Sequence, residues 1–208
     1  MSALERPLSA GTERLFNNYF LEKLTRSHIS VPVTLFFIYA FVLFAINLID
    51  STLSTATSII LFLLGWLTFS WVEYLVHRYV FHLPTTTKAR KKFQHTMHGV
   101  HHHYPKDKDR LAMPPVLSIA IATVLLLLLR LIIGDLVFAF LPGFLVGYAF
   151  YLLIHYVVHI HKAPKNFFRY LWINHSIHHY KDGAIVFGVS SPLWDHIYGT
   201  MRRRELES

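Results

Sequence analysis

The sequence predicts an all-α integral membrane protein: four transmembrane helices and a cytosolic helical cap that holds a histidine-rich two-metal centre. Three observations carry that expectation. More than half of the 208 residues are apolar and only 15% are charged, a balance rare in soluble domains and ordinary in a bilayer. Lysine and arginine fall almost wholly on one side of the expected spans. The chain has 15 histidines and no cysteine, and ten of those histidines form four short clusters on that same side.

A chain of this length holds one sizeable domain rather than two. Without cysteine it forms no disulfide, no thiolate zinc site and no iron–sulfur cluster of its own. Any metal is therefore held by nitrogen and oxygen. Residues 1–30 mix charges with isolated Leu and Phe and show neither the apolar core nor the cleavage site of a signal peptide, so they are expected to be a cytosolic arm. Residues 31–161 are expected to be the four-span membrane domain. Val31–Ile49 is uncharged and long enough to cross about 30 Å of hydrocarbon. Ser58–Val72 continues through Glu73 and His77 and ends near His82. A cytosolic loop, 83–114, leads to the third span, Pro115–Ile133. The tight Gly134–Asp135 turn joins it to the fourth, Leu136–His161. Pro32 and Pro115 stand at or beside helix starts, where a missing N–H costs little. Residues 162–208 form the cytosolic cap and tail.

Cations set the orientation. The arm carries Arg6, Arg14, Lys23 and Arg26; the loop carries Lys88, Arg90, Lys91, Lys92, Lys106, Lys108 and Arg110; the tail carries Lys162, Lys165, Arg169, Lys181 and Arg202 to Arg204. The opposite side offers Arg130 alone, expected to snorkel to the far interface. This asymmetry places both termini and the loop in the cytosol, at the endoplasmic reticulum membrane in a eukaryote or the inner membrane in a bacterium. The net charge of +8 is thereby read as loops beside anionic lipid, with no nucleic-acid partner.

His77 lies nineteen residues after Ser58, and His155 nineteen after Leu136. At 1.5 Å per residue both emerge about 28 Å from the far surface, at the cytosolic exit. The four clusters are His77 and His82; His98, His101 and His102; His155 and His159; and His175, His178 and His179. On a helix, residues i, i+3 and i+4 share a face, so each HxxHH can aim three imidazoles at one point. His77 and His82, five apart, do not share a face; the helix must bend or end there, or each must serve a different metal. A lone histidine at a membrane edge is ordinarily an interfacial hydrogen-bonder, whereas four clusters on one side make a metal site the economical reading. His28 and His196 lie outside the clusters, and nothing in the spacing of His95, His103 and His161 requires them. Ten imidazoles exceed the four to six ligands of one metal, so two metals are expected. Zinc there gives hydrolysis and iron gives oxygen activation, and ligand type does not choose between them.

The stretches HRYVFH (77–82), HGVHHHYPKDKDRLAMPP (98–115), HYVVH (155–159), HSIHHY (175–180) and FGVSSPLWDHIYGT (187–200) resemble the membrane fatty acid hydroxylase superfamily. Within it they most resemble the fatty acid and sphingolipid 2-hydroxylases, over a hydroxylase domain of about 71–200. The resemblance implies a dimetal centre with the same ten histidines as ligands. It further implies iron for activity, with zinc possible in purified protein, and insertion of one oxygen from O2 at carbon 2 of a fatty acyl or ceramide-like membrane lipid. Members of the family often have an Asp shortly before the third cluster, where this chain has Tyr151-Leu152-Leu153, and a second histidine after His159, where it has Ile160. Fungal and animal members carry a cytochrome b5 domain ahead of the spans. Thirty residues cannot hold one, so a separate donor of cytochrome b5 or ferredoxin type, with its reductase, is expected.

Two carboxylates are candidates for supporting roles. Glu73, one turn before His77 in an apolar span, is expected either to bond a ligand imidazole or to anchor helix packing. Asp195 is expected to orient a ligand histidine or to cap a turn. Rival readings are a sterol or carotenoid hydroxylase or desaturase of the same superfamily, a zinc-dependent membrane hydrolase, and a metal transporter. The last sits poorly with histidines at one membrane edge, since transporter sites lie near the midplane.

Overall fold

A computed structural model describes residues 8 and 11–202. Among them every regular element is helical. Arg6, Arg203 and Arg204, three of the cations used for the orientation, lie outside the described residues, as do both chain ends. In order, the helices are α1 (Tyr19–Leu24), α2 (Ser30–Asp50), α3 (Thr55–Leu75), α4 (Lys88–Gln94), α5 (Val100–His103), α6 (Pro115–Ile133), α7 (Val137–Ile160), α8 (Arg169–Tyr180) and α9 (Leu193–Ile197). Two π-helical turns interrupt the regular winding, Val76–Phe81 directly after α3 and His95–Gly99 between α4 and α5.

Three helical stretches are long and apolar enough to cross a membrane: 30–50, 55–81 and 115–160. The third and fourth expected spans fall in the last of these, 46 residues long. It is interrupted where α6 stops at Gly134, whose φ of 59° is open to glycine without steric cost, and a short 3-10 turn leads into α7. Pro115 opens α6 at its first position, as anticipated. Arg130 makes an ion pair with Asp135 at 3.3 Å and lies over the Phe138 ring.

The chain divides into two compact units. One comprises Phe16–Trp71 and Lys108–Tyr156. Its core joins Phe36, Ala40 and Leu43 of α2 to Ala122 of α6 and to Val137, Leu141, Leu145 and Ala149 of α7. Two glycines let α3 and α7 approach backbone to backbone. A Cβ on Gly65 would lie 2.0 Å from the Phe140 carbonyl oxygen, and one on Gly143 would lie 1.8 Å from that of Phe62. Small residues at such crossings are how helices pack where lipid removes the hydrophobic drive. The outward faces stay apolar: Phe41, Ile49, Leu131 and Ile132 are among the most exposed side chains. That surface is unfavourable in water and costs nothing in hydrocarbon.

The other unit comprises Val72–Asp107 with the described parts of Met1–Leu15 and Val157–Ser208. Its interior is polar in an unusual way. His77, His98, His101, His175, His178, His179, Glu73 and Asp195 are all buried.

Candidate metal centre

His77 and His82 are brought to one face by the π-helical turn. On an α-helix, five residues put two side chains about 140° apart. Here the His82 N–H donates to the His77 carbonyl at 3.2 Å, the i→i+5 bond of a π turn, which winds the fifth residue back over the first. The helix ends at this turn, with His82 as its C-cap, as the five-residue spacing required, and the two rings stay on one face. A second π turn carries His98, with the Val100 N–H bonded to the His95 carbonyl.

The ten histidines of the four clusters form two groups of five. His77, His82, His98, His102 and His178 make the first; His101, His155, His159, His175 and His179 make the second. In each group, one ring nitrogen per residue lies within 4.8 Å of all the others, a disposition able to hold a metal ion. The HxxHH motifs do not each converge on one point, as the shared-face expectation allowed. His98 and His102 enter the first group while His101 enters the second; His175 and His179 enter the second while His178 enters the first. The cause is helical geometry: adjacent residues diverge by about 100°, so the final His-His pair of each motif faces two ways.

Each group therefore has the same composition. It takes the pair at the end of a long helix, the outer pair of one HxxHH, and the middle histidine of the other. The other five histidines belong to neither group. His28 bonds Ser30 at the start of α2, His95 pairs with Glu13 at 3.1 Å, and His103 stacks on Tyr104. His161 follows α7, where its carbonyl accepts from Trp172, and His196 lies in α9.

The fit of a metal is tested by the ring nitrogens. Nδ1 of His77 donates to the Phe187 carbonyl at 2.5 Å, and Nδ1 of His178 donates to that of Ile185 at 2.9 Å. A carbonyl only accepts, so both rings carry their proton on Nδ1 and present a lone pair at Nε2. Those lone pairs face other ring nitrogens: Nε2 of His77 is 3.1 Å from that of His98, His98 is 3.0 Å from His102, and His178 is 3.0 Å from His82. Two nitrogens each about 2.1 Å from one metal are about 3.0 Å apart at right angles and about 3.4 Å apart at the tetrahedral angle. In the second group, Nε2 of His159 and His175 approach to 2.6 Å, and both ring nitrogens of His179 are buried with no hydrogen-bond partner. Converging ring nitrogens and an orphaned buried imidazole both suit a cation.

Burial favours the neutral form of His98, His178 and His179, the form in which an imidazole can bind a metal. Desolvation, then neighbouring His102 and other rings, push His98 well below its ordinary value. Desolvation and the same kind of crowding do so for His179. His178 is pushed by burial down to about 4, against the raising effect of the Ile185 carbonyl and Asp182.

The carboxylates act on a loop, not on the rings. Glu73 accepts from the backbone N–H groups of Val189 and Ser190, both at 2.9 Å, and from the Ser190 hydroxyl. Asp195 accepts from the N–H groups of Phe187 and Gly188, both at 2.8 Å, and from the Thr200 hydroxyl at 2.7 Å. Both carboxylates accept from backbone N–H groups of one loop: Glu73 ties down residues 189–190 rather than a neighbouring helix, and Asp195 holds the turn at 187–188. Burial pushes the Asp195 carboxyl up, while Thr200 and the two N–H groups pull it back. Between the two anchored carbonyls, Val186 has φ 56°, the one non-glycine residue in the left-handed region among those described. For a β-branched side chain that conformation costs about 1–3 kcal/mol. Ile185, Val186 and Phe187 were not singled out from sequence as site residues. For Phe187 the signal is the run FGVSSPLWD, which links a glycine, two serines and an aspartate just after the last histidine cluster; Ile185 and Val186 precede that run and carry no such signal. Aromatic rings close over the first group: Phe81 stacks on His98, and Phe187 packs edge-on against His77, His82 and His178.

Comparison with known proteins adds to this geometry. Residues 62–200 match the family model described as fatty acid hydroxylase. The chain is 35% identical over 202 residues to the ceramide very long chain fatty acid hydroxylase scs7 of Schizosaccharomyces pombe, covering 92% of this chain and 55% of that protein. It is 36% identical over 148 residues to the fatty acid 2-hydroxylase of Homo sapiens, covering 68% and 39%. It is 35% identical over 139 residues to a dihydroceramide fatty acyl 2-hydroxylase of Arabidopsis thaliana, covering 66% and 58%. The chain thus spans about half the length of the curated relatives it matches. Among solved structures, full-length scs7p, with only its hydroxylase domain visible, superposes with a TM-score of 0.84 at 30% identity, covering 94% of this chain and 74% of that one.

Proposed function

The chain belongs to the fatty acid hydroxylase family, and from that premise we propose that it hydroxylates an acyl chain at carbon 2, in a free fatty acid or a sphingolipid. The observation that carries the reading is the pair of five-histidine groups in a chain whose curated relatives are named 2-hydroxylases and ceramide hydroxylases. His77, His82, His98, His102 and His178 would hold one iron, and His101, His155, His159, His175 and His179 a second. The chemistry that iron supplies when bound is activation of O2 toward an aliphatic C–H bond, which zinc, having no redox states, does not offer.

The chain's own residues do the rest. Neutral imidazoles present lone pairs without having to shed a proton first. The Phe187 and Ile185 carbonyls keep Nε2 of His77 and His178 free for the metal. Phe81 and Phe187 shield the rings of the first group from water. In this proposal α6 and α7 are separate spans, making four. A straight helix of 46 residues would run about 69 Å, about twice the hydrocarbon thickness. The left-handed Gly134 and the shared core of Ala122 with Leu145 and Ala149 support a hairpin. The lysine and arginine asymmetry supports a cytosolic histidine face, near the lipid head groups where the acyl carbonyl and carbon 2 reside. Electrons come from a cytochrome b5- or ferredoxin-type donor.

Anaerobic loading with ferrous iron, followed by labelled O2 and a reductant, tests this by mass spectrometry of the lipids. One labelled oxygen at carbon 2 of an acyl chain is expected. A product labelled on a sterol or carotenoid ring, or full turnover with zinc and no oxygen, would replace the proposal by one of its rivals.

A further inference from the structure

We propose that residues 185–188, tied down by Asp195, form a positioning clasp for the first histidine group. The clasp fixes the ring tautomer and orientation of His77 and His178, and through them sets how tightly that group holds its metal. This rests on the reading above that the two groups bind metal.

The clasp has three parts, all within the unit that carries the first group. Its jaws are the carbonyls of Ile185 and Phe187, which accept the Nδ1–H of His178 and His77. The two rings stand 4.5 Å apart, centroid to centroid, whereas alternate carbonyls on an extended strand are about 6.6 Å apart. The left-handed Val186 between them supplies the bend that brings two nearby carbonyls to two nearby rings. Its N–H donates to the Thr200 carbonyl at 2.9 Å, which holds the bend from the far side.

The spring of the clasp is Asp195, fully buried. One carboxylate oxygen takes the Phe187 N–H and the Thr200 hydroxyl, the other takes the Gly188 N–H. The same peptide unit that Asp195 anchors thus leads directly to the carbonyl that orients His77. Gly188 is compelled by this fit: a Cβ there would lie 2.1 Å from the Ser191 carbonyl oxygen and 2.7 Å from the Asp195 carboxylate. Glu73 secures the next two residues through Val189 and Ser190. An unfavourable backbone conformation persists only when its surroundings over-determine it, and here five consecutive backbone N–H groups, of residues 186–190, do so by donating to Thr200, Asp195 and Glu73. Asp195 touches neither metal ligand. It is a positioning residue, acting through the loop.

The test is Asp195→Asn in the full chain. The amide would set an N–H against the Gly188 or Phe187 N–H and open the clasp. Metal affinity of the first group should fall by roughly ten- to a hundredfold, the usual cost of losing an outer-shell partner, with the second group unchanged. With free ferrous iron buffered between the parent's and the variant's affinities for the first group, the variant should keep one metal where the parent keeps two. Histidine-selective 15N NMR of the metal-free protein should show His77 and His178 passing from pure Nδ1–H forms to tautomer mixtures. Thr200→Val, which keeps the carboxylate and removes its hydroxyl partner together with that hydroxyl's contact to Tyr74, should move the same two signals less far, and it decides the matter if Asp195→Asn does not fold. Equal loss of both metals, or unchanged tautomers in both variants, would overturn the clasp. A parent chain that takes up no metal would overturn the metal reading instead, while the tautomer signals still report on the clasp.

Discussion

The two histidine groups have one composition and two constructions. Each combines a helix-end pair, the outer pair of one HxxHH motif and the middle histidine of the other. The second group's helix-end pair, His155 and His159, sits one regular turn apart on α7. The first group's pair, His77 and His82, is one residue further apart and is reconciled by a π turn. The first group also takes two backbone carbonyls from the 185–187 segment, while His179 of the second has no hydrogen bond at either ring nitrogen. The lesson is that a ligand set is defined by where nitrogens converge, and that local backbone winding can absorb a change in sequence spacing.

The largest expected effect comes from breaking the crossover. His101→Ala and His102→Ala alter neighbouring residues, yet each should remove a different metal. Both should lower hydroxylation by more than about a hundredfold, beyond the range for outer-shell changes. Metal counting with Mössbauer spectra of the two variants checks this; loss of the same iron signal in both would refute the crossover.

A nearly equal effect is expected from moving the first pair to the spacing of the second. The double change Phe81→His with His82→Phe gives the i, i+4 spacing of His155 and His159 on a segment wound as a π turn. The first group should lose its metal and the second keep it. Full retention of both would mean that the π turn is not what unites His77 and His82.

Stripping the metals is expected to cost both groups together. A ligand present at about a thousandfold over its Kd adds about 4 kcal/mol of stability, so chelation should lower the thermal midpoint by several degrees. Refilling to half occupancy should reveal which group is tighter. A midpoint that ignores chelation would argue against metal in either.

The smallest effect is that of acid on the metal-free chain. His178 is held at about 4 against an ordinary 6.5, and His98 and His179 are also lowered. The unfolded chain therefore takes up protons that the folded chain refuses. Stability is full above about pH 6.5 and declines as pH falls toward about 4. Denaturant midpoints across that window check the sign; a midpoint that rises on acidification would contradict it.

The sequence by itself determined the all-helical character, the apolar stretches and the ten histidines that converge, because hydropathy and 3.6-residue periodicity are local properties written in composition and spacing. Only the tertiary structure decided how the ten divide. The His-His step at 101–102 and 178–179 faces two ways, and which ring goes to which group depends on what lies across from it. Glu73 and Asp195 were visible as carboxylates out of place, but their partners lie 116 and 7 or 8 residues away in a loop. The left-handed Val186 was invisible, since nothing in a valine announces a positive φ. Backbone strain of that kind is imposed by hydrogen bonds from distant residues, and no local pattern encodes it.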